Sequence, residues 1–127
     1  MSFNFFKLII MAGSLGTLLL VLGCQKKKID LARLSPDQLA AHNKSKLLAR
    51  GKALYIAECI VCHNLNPKMA GATGPEIYGS SLELVTARIL TLGYPPGYKP
   101  KRDTELMPEF DHLEEDIPAI HAFLNTP

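Results

Sequence analysis

The sequence predicts an all-α domain of three to four helices. Two stretches begin on serines that cap helices, a third is marked by a proline suited to a first helical turn, and no run alternates apolar and polar residues as a half-buried strand would. Glycines and prolines crowd the segments between these stretches, which read as ordered loops.

Ser35-Pro36-Asp37-Gln38 opens the first helix, with Ser35 as N-cap, Pro36 at the first helical position and Gln38 placed for a capping box. Helical character runs to about Cys59, with a break expected near Asn43. Leu47, Gly51, Leu54 and Tyr55 share a face. A glycine inside a helix costs stability, so Gly51 predicts the close approach of another backbone. Residues 64–80 hold Pro67, Gly71, Gly74-Pro75 and Gly79 and read as a loop. Ser81 caps a second helix expected to reach Leu92, with Leu82, Val85, Ile89 and Leu92 on one face and Gly93 as its stop. Pro95, Pro96, Pro100 and Pro108 keep residues 94–110 out of a helix, and loops of that length are usually functional. The last helix is expected over about Asp116 to Leu124, because Pro118 is tolerated only in a first turn. Its acidic start, Glu114 to Asp116, complements the helix dipole.

Ahead of this domain, Leu8 to Leu22 form an uncharged apolar run after the single cation Lys7. Fifteen residues are short of the roughly 20 that span a bilayer, so the run reads as an export signal covering residues 1–23. It ends in Val21-Leu22-Gly23-Cys24, which resembles the bacterial lipobox, and so Cys24 is expected to carry lipid. Cleavage before Cys24 removes 23 of 127 residues and leaves 104. Residues 24–44 are expected to form a partly helical tether, whose lysines 26 to 28 suit anionic headgroups, and residues 45–127 the folded domain.

Removing Lys7 with the signal leaves thirteen cations against twelve acids, a balance of +1 that excludes little. The distribution says more. Residues 24–54 hold eight cations against Asp30 and Asp37, whereas residues 103–116 hold seven acids and no Lys or Arg.

The chemistry concentrates in Cys59-Ile60-Val61-Cys62-His63. A zinc half-site would want further Cys or His pairs at ligand spacing, and a redox dithiol would want a βαβ context; neither is visible. The run is instead similar to the attachment motif of c-type cytochromes, in which both thiols join one haem c and His63 becomes the proximal ligand. Over about residues 45 to 126 the chain resembles the small monohaem class I cytochromes c. Gly74-Pro75-Glu76-Ile77-Tyr78-Gly79 is similar to that family's GPxLxG segment, which implies that the Pro75 carbonyl accepts the free N–H of His63. Leu106-Met107-Pro108 resembles its Met-Pro segment, which makes Met107 the distal ligand. Met69 is the competitor, poorly placed only six residues after His63, and His112 or His121 would give a bis-histidine site. Gly51 and Tyr55, with Ile120, Phe123 and Leu124, resemble the place where the family's terminal helices cross, and the basic first helix should attract the acidic start of the last. Tryptophan is absent, so haem carboxylate contacts would fall to Tyr94, Tyr98, Arg88 or Arg102. Lys99, Lys101 and Arg102 form a short basic cluster that could dock an acidic partner or remain solvated.

The resemblance implies an all-α fold of three to four helices around one covalent haem c, and a one-electron carrier rather than an enzyme. A haem-based sensor with a labile Met ligand, or an electron-entry subunit of a larger oxidase or reductase, are the alternatives. Expected partners are a transient redox donor and acceptor, and the membrane through lipid at Cys24; no nucleic acid is expected. The expected location is the periplasmic or cell-surface side of a bacterial membrane, with Gln25 after the lipid cysteine resembling outer-membrane sorting.

Overall fold

The computed structural model describes residues 29–102 and 105–127. The expected signal peptide and the lipid site at Cys24 lie outside the described residues. Residues 29–34 carry a single 3-10 turn, Leu31–Arg33, capped by the Asp30 side chain accepting from the Ala32 N–H. Residues 35–127 form a separate compact unit.

Three α-helices make this unit: α1 (Pro36–Leu54), α2 (Leu82–Leu90) and α3 (Ile117–Leu124), and the described residues contain no strand. The all-α expectation holds. The start of α1 is the predicted capping box, in which the Ser35 hydroxyl accepts from Gln38 N–H at 3.3 Å and the Gln38 side chain accepts from Ser35 N–H at 2.9 Å. The expected break near Asn43 does not occur, and α1 is continuous through it. Asparagine costs a surface helix only a fraction of a kcal/mol, about 0.7 at most, which the other eighteen residues of this 19-residue helix readily absorb. Beyond Leu54 the chain widens into one π turn, Tyr55–Cys59, before entering the Cys-rich segment.

α2 begins where Ser81 predicts, its hydroxyl accepting from the Leu84 N–H. It ends at Leu90 rather than Leu92. Leu92, not Gly93, takes the left-handed conformation, with φ of 54°, while Gly93 N–H donates to the Ala87 carbonyl. The Arg88 guanidinium donates to the Leu92 carbonyl and holds that turn in place. A 3-10 segment, Asp111–Asp116, leads into α3, which starts at Ile117, one residue before Pro118 and within a residue of the expected start. Pro118 accounts for it: the proline has no N–H and its ring would clash with the carbonyl four residues back, at Glu114, so α-helical bonding starts only after it.

The core collects Val85 and Ile89 of α2, Leu113, and Ile117, Ile120 and Leu124 of α3 around Tyr55, which is fully buried. Each aliphatic side chain in it contributes about 1.5–3 kcal/mol by leaving water. α1 and α3 cross at Gly51. A Cβ there would collide with the carbonyl of Ala119 and lie 3.0 Å from Phe123 Cβ, so the two backbones can touch only because position 51 has no side chain. One turn on, the Tyr55 and Phe123 rings pack with centroids 5.3 Å apart. The charge complementarity expected between these helices is realised by Arg50 and Asp116, joined through Nε–Oδ1 at 2.9 Å and Nη2–Oδ2 at 2.7 Å. That bidentate pair holds the Asp116 carboxyl below its ordinary range.

Candidate functional site

The π turn at the end of α1 delivers Cys59, and the next turn brings Cys62 and His63 back over it. The Cys59 carbonyl accepts from Cys62 N–H at 3.2 Å and from His63 N–H at 2.9 Å. Both thiols therefore belong to one tight turn. The exit from His63 is fixed in turn, because the buried Tyr55 hydroxyl donates to the carbonyl of Asn64, whose side chain accepts from Asn66 N–H at 2.9 Å.

The loop 64–80 folds back beneath His63. Gly74 N–H donates to the Cys62 carbonyl at 2.8 Å, and the Pro75 carbonyl lies 2.8 Å from His63 Nδ1. That bond puts the proton on Nδ1 and turns Nε2, with its lone pair, outward as a ligand atom. Gly74 makes room for the ring: a Cβ at this position would sit 2.5 Å from both His63 Cε1 and Nδ1.

A cavity of about 400 Å³ opens in front of the imidazole. Cys59, Cys62, His63, Pro75 and Met107 all line it, so the five residues singled out in the folded domain meet in one place. The rest of its wall is largely apolar, from Ile77, Val85, Ile89, Phe110, Ile120 and Leu124. Met69 is absent from that lining and more than half exposed. His112 and His121 are absent from it as well.

Burial, with help from Glu58 and Cys62, pushes the Cys59 thiol up to about 11. An attacking thiol in a redox dithiol needs the opposite, acidification towards neutral pH, so Cys59 is not poised as such a thiolate. Among the described residues no three His, Cys, Asp or Glu side chains are grouped as a metal site.

The polar candidates gather at one end of the cavity. Arg88 stacks over the Tyr94 ring at 4.3 Å, Tyr94 and Tyr98 stack in parallel with centroids 5.4 Å apart, and all three line the cavity with Lys101 and Arg102. Two of the three cations in the basic cluster at residues 99 to 102 are tied to backbone carbonyls, while Lys99 is exposed. Arg102 donates to the carbonyls of Thr73 and Ala72, and Lys101 donates to the Glu76 carbonyl and pairs with its carboxylate. The Glu76 backbone N–H and Lys101 together lower the Glu76 carboxyl below its ordinary range. These ties were missed in the sequence. A polar loop of glycines facing a pair of long cations was the one signal for them.

The site can grip a flat apolar group through two thiols of one turn, present an oriented imidazole to one of its faces, and offer a thioether from a separate loop. A family model described as cytochrome c matches residues 48–126. No curated protein and no solved structure matches the chain.

Proposed function

The chain belongs to the cytochrome c family, whose members carry covalently attached haem c and transfer electrons with it, and we propose that this one is a one-electron carrier with His63 and Met107 as its axial ligands. The observation that carries this reading is the shared cavity: both thiols, the imidazole and the Met107 side chain line it together. The donor set fits haem c. Two thiols in one turn match two attachment points, the wall is apolar, and Gly74 leaves space for a ring that Pro75 orients. When bound, haem supplies a one-electron couple, and a His/Met pair raises its potential.

The protein's own residues do the remaining work. Cys59 and Cys62 tie the group to the end of α1. The Pro75 carbonyl holds the His63 proton on Nδ1 and makes the ring a better donor. Ile89, Ile120 and Leu124 keep water from the buried side. With both His63 and Met107 holding the group, its iron would have no position left for a substrate, which favours a carrier over an enzyme or a gas sensor.

Export and lipid attachment at Cys24 complete the proposal. Supporting them are the apolar run Leu8 to Leu22, the Gly23-Cys24 junction, and a cysteine otherwise without a role, since Cys59 and Cys62 serve haem. The carrier then works outside the cytoplasm, held to a bacterial membrane. No helix among the described residues is long and apolar enough to cross one. Its partners are redox proteins met through small, short-lived interfaces. The seven acids around Met107 favour partners with a positive patch.

The test is a redox titration of the purified protein, followed by denaturation. Haem absorbance that stays with the unfolded chain, and a reversible one-electron wave, support the reading. A high-spin oxidised spectrum, or haem lost on unfolding, would refute it.

A further inference from the structure

Met107 lies within residues 105–110, which carry no helix or strand, and the apolar cavity wall alone does not dictate where they sit. Two anchors bracket it. On its far side, Phe110 N–H donates to the Ile89 carbonyl at 2.8 Å. On its near side, Arg102 Nη1 donates to the Thr73 carbonyl at 2.9 Å and the Ala72 carbonyl at 3.3 Å, and Lys101 Nζ donates to the Glu76 carbonyl at 2.9 Å.

The acceptors of the near anchor are what give it meaning. Residues 72, 73 and 76 flank Gly74-Pro75 on both sides, and Pro75 is the residue that orients His63. The segment that offers the distal thioether is thus bonded, across 25 to 30 residues of sequence, to the segment that sets the proximal imidazole. Charged donors suit the task, because a bond from a cation to a carbonyl is stronger than one between neutral groups. Arg102 is the better anchored of the two. Its guanidinium bridges two carbonyls and is partly buried, whereas the Lys101 carboxylate pair is exposed and contributes little by itself.

We infer that Lys101 and Arg102 are positioning residues, a strap that locks the Met107 segment onto the Ala72–Glu76 segment and so fixes both axial sides of the site together. The inference rests on His63/Met107 ligation. Without the strap the helices stay packed, since the hydrogen bonds and ion pair of the two cations go to residues 72, 73 and 76 and none to α1 or α3, but Met107 is held from one end only.

The test follows urea unfolding of the oxidised holoprotein by two signals: the weak far-red absorption band that reports Met107 on the iron, and far-ultraviolet circular dichroism, which reports the helices. In the wild type both are lost together. In the Lys101→Gln/Arg102→Gln variant the band is lost at roughly 1 M lower urea than the helices. Arg102→Gln alone gives a smaller separation, and Arg102→Lys closes part of it. Coincident loss in the double variant, at the wild-type midpoint or at a shared lower one, would overturn the strap, because the cations would then serve only general stability. A wild type with no such band would show instead that the ligation reading is wrong, and the strap would fall with it.

Discussion

His63 Nδ1 lies 2.8 Å from the carbonyl oxygen of Pro75, twelve residues further along the chain, and Gly74 leaves no side chain between them. Gly74→Ala would place a methyl 2.5 Å from the ring and push it off its acceptor. A weaker N–H···O bond makes the imidazole a poorer donor to oxidised iron. The variant is expected to show a higher reduction potential than the wild type by redox titration, with its haem still covalently attached.

Gly51→Ala tests the helix crossing. The added methyl collides with backbone at Ala119, which cannot rotate away as a side chain would, so α1 and α3 must separate. A loss of about 3 kcal/mol or more is expected in denaturant unfolding, against about 1 kcal/mol gained by the same change in an exposed helix.

Tyr55 makes stability fall at alkaline pH. Burial is the main reason that its hydroxyl is pushed up from 10.0 to about 12. An unfolded chain releases this proton near pH 10 and the folded one only near pH 12, so the stabilisation is complete below about 10 and is lost as pH rises between these values. Tyr55→Phe should lower stability at neutral pH by about 1–2 kcal/mol, through the orphaned Asn64 carbonyl, and flatten the alkaline decline. Denaturation midpoints from pH 8 upward, compared between wild type and variant, give the measurement.

Asp116 has the opposite sign. Arg50 lowers its folded value, so its contribution is present above the unfolded carboxylate range and disappears as pH falls through the folded value. Asp116→Asn should weaken the protein slightly at neutral pH and leave its stability less sensitive to acid. Salt should narrow the gap between the two proteins, because the pair is exposed.

What was legible in the sequence was local. Ser35 with Gln38, and Ser81, announce helix starts because a cap bonds only to residues three positions on. Gly51 announced a backbone contact because an interior glycine needs a reason. Cys59, Cys62, His63, Pro75 and Met107 were legible as a set because their order and spacing resemble a known family, not because any one of them is distinctive. The bonds that span the chain were not legible. Neither the Tyr55 hydroxyl on the Asn64 carbonyl nor Arg102 on Thr73 leaves a pattern, since a backbone acceptor has no residue identity. The expected stop at Gly93 failed for a similar reason. Arg88 ties down the Leu92 carbonyl and lets a leucine take the turn that glycine would usually fill.

The most direct test of a carrier built on His63 and Met107 is the absorption spectrum of the oxidised protein, compared with Met107→Ala and Met69→Ala. A weak far-red band present in the wild type and in Met69→Ala, and absent from Met107→Ala, is the predicted result. A high-spin wild-type spectrum, or a band that survives in Met107→Ala, would contradict the account.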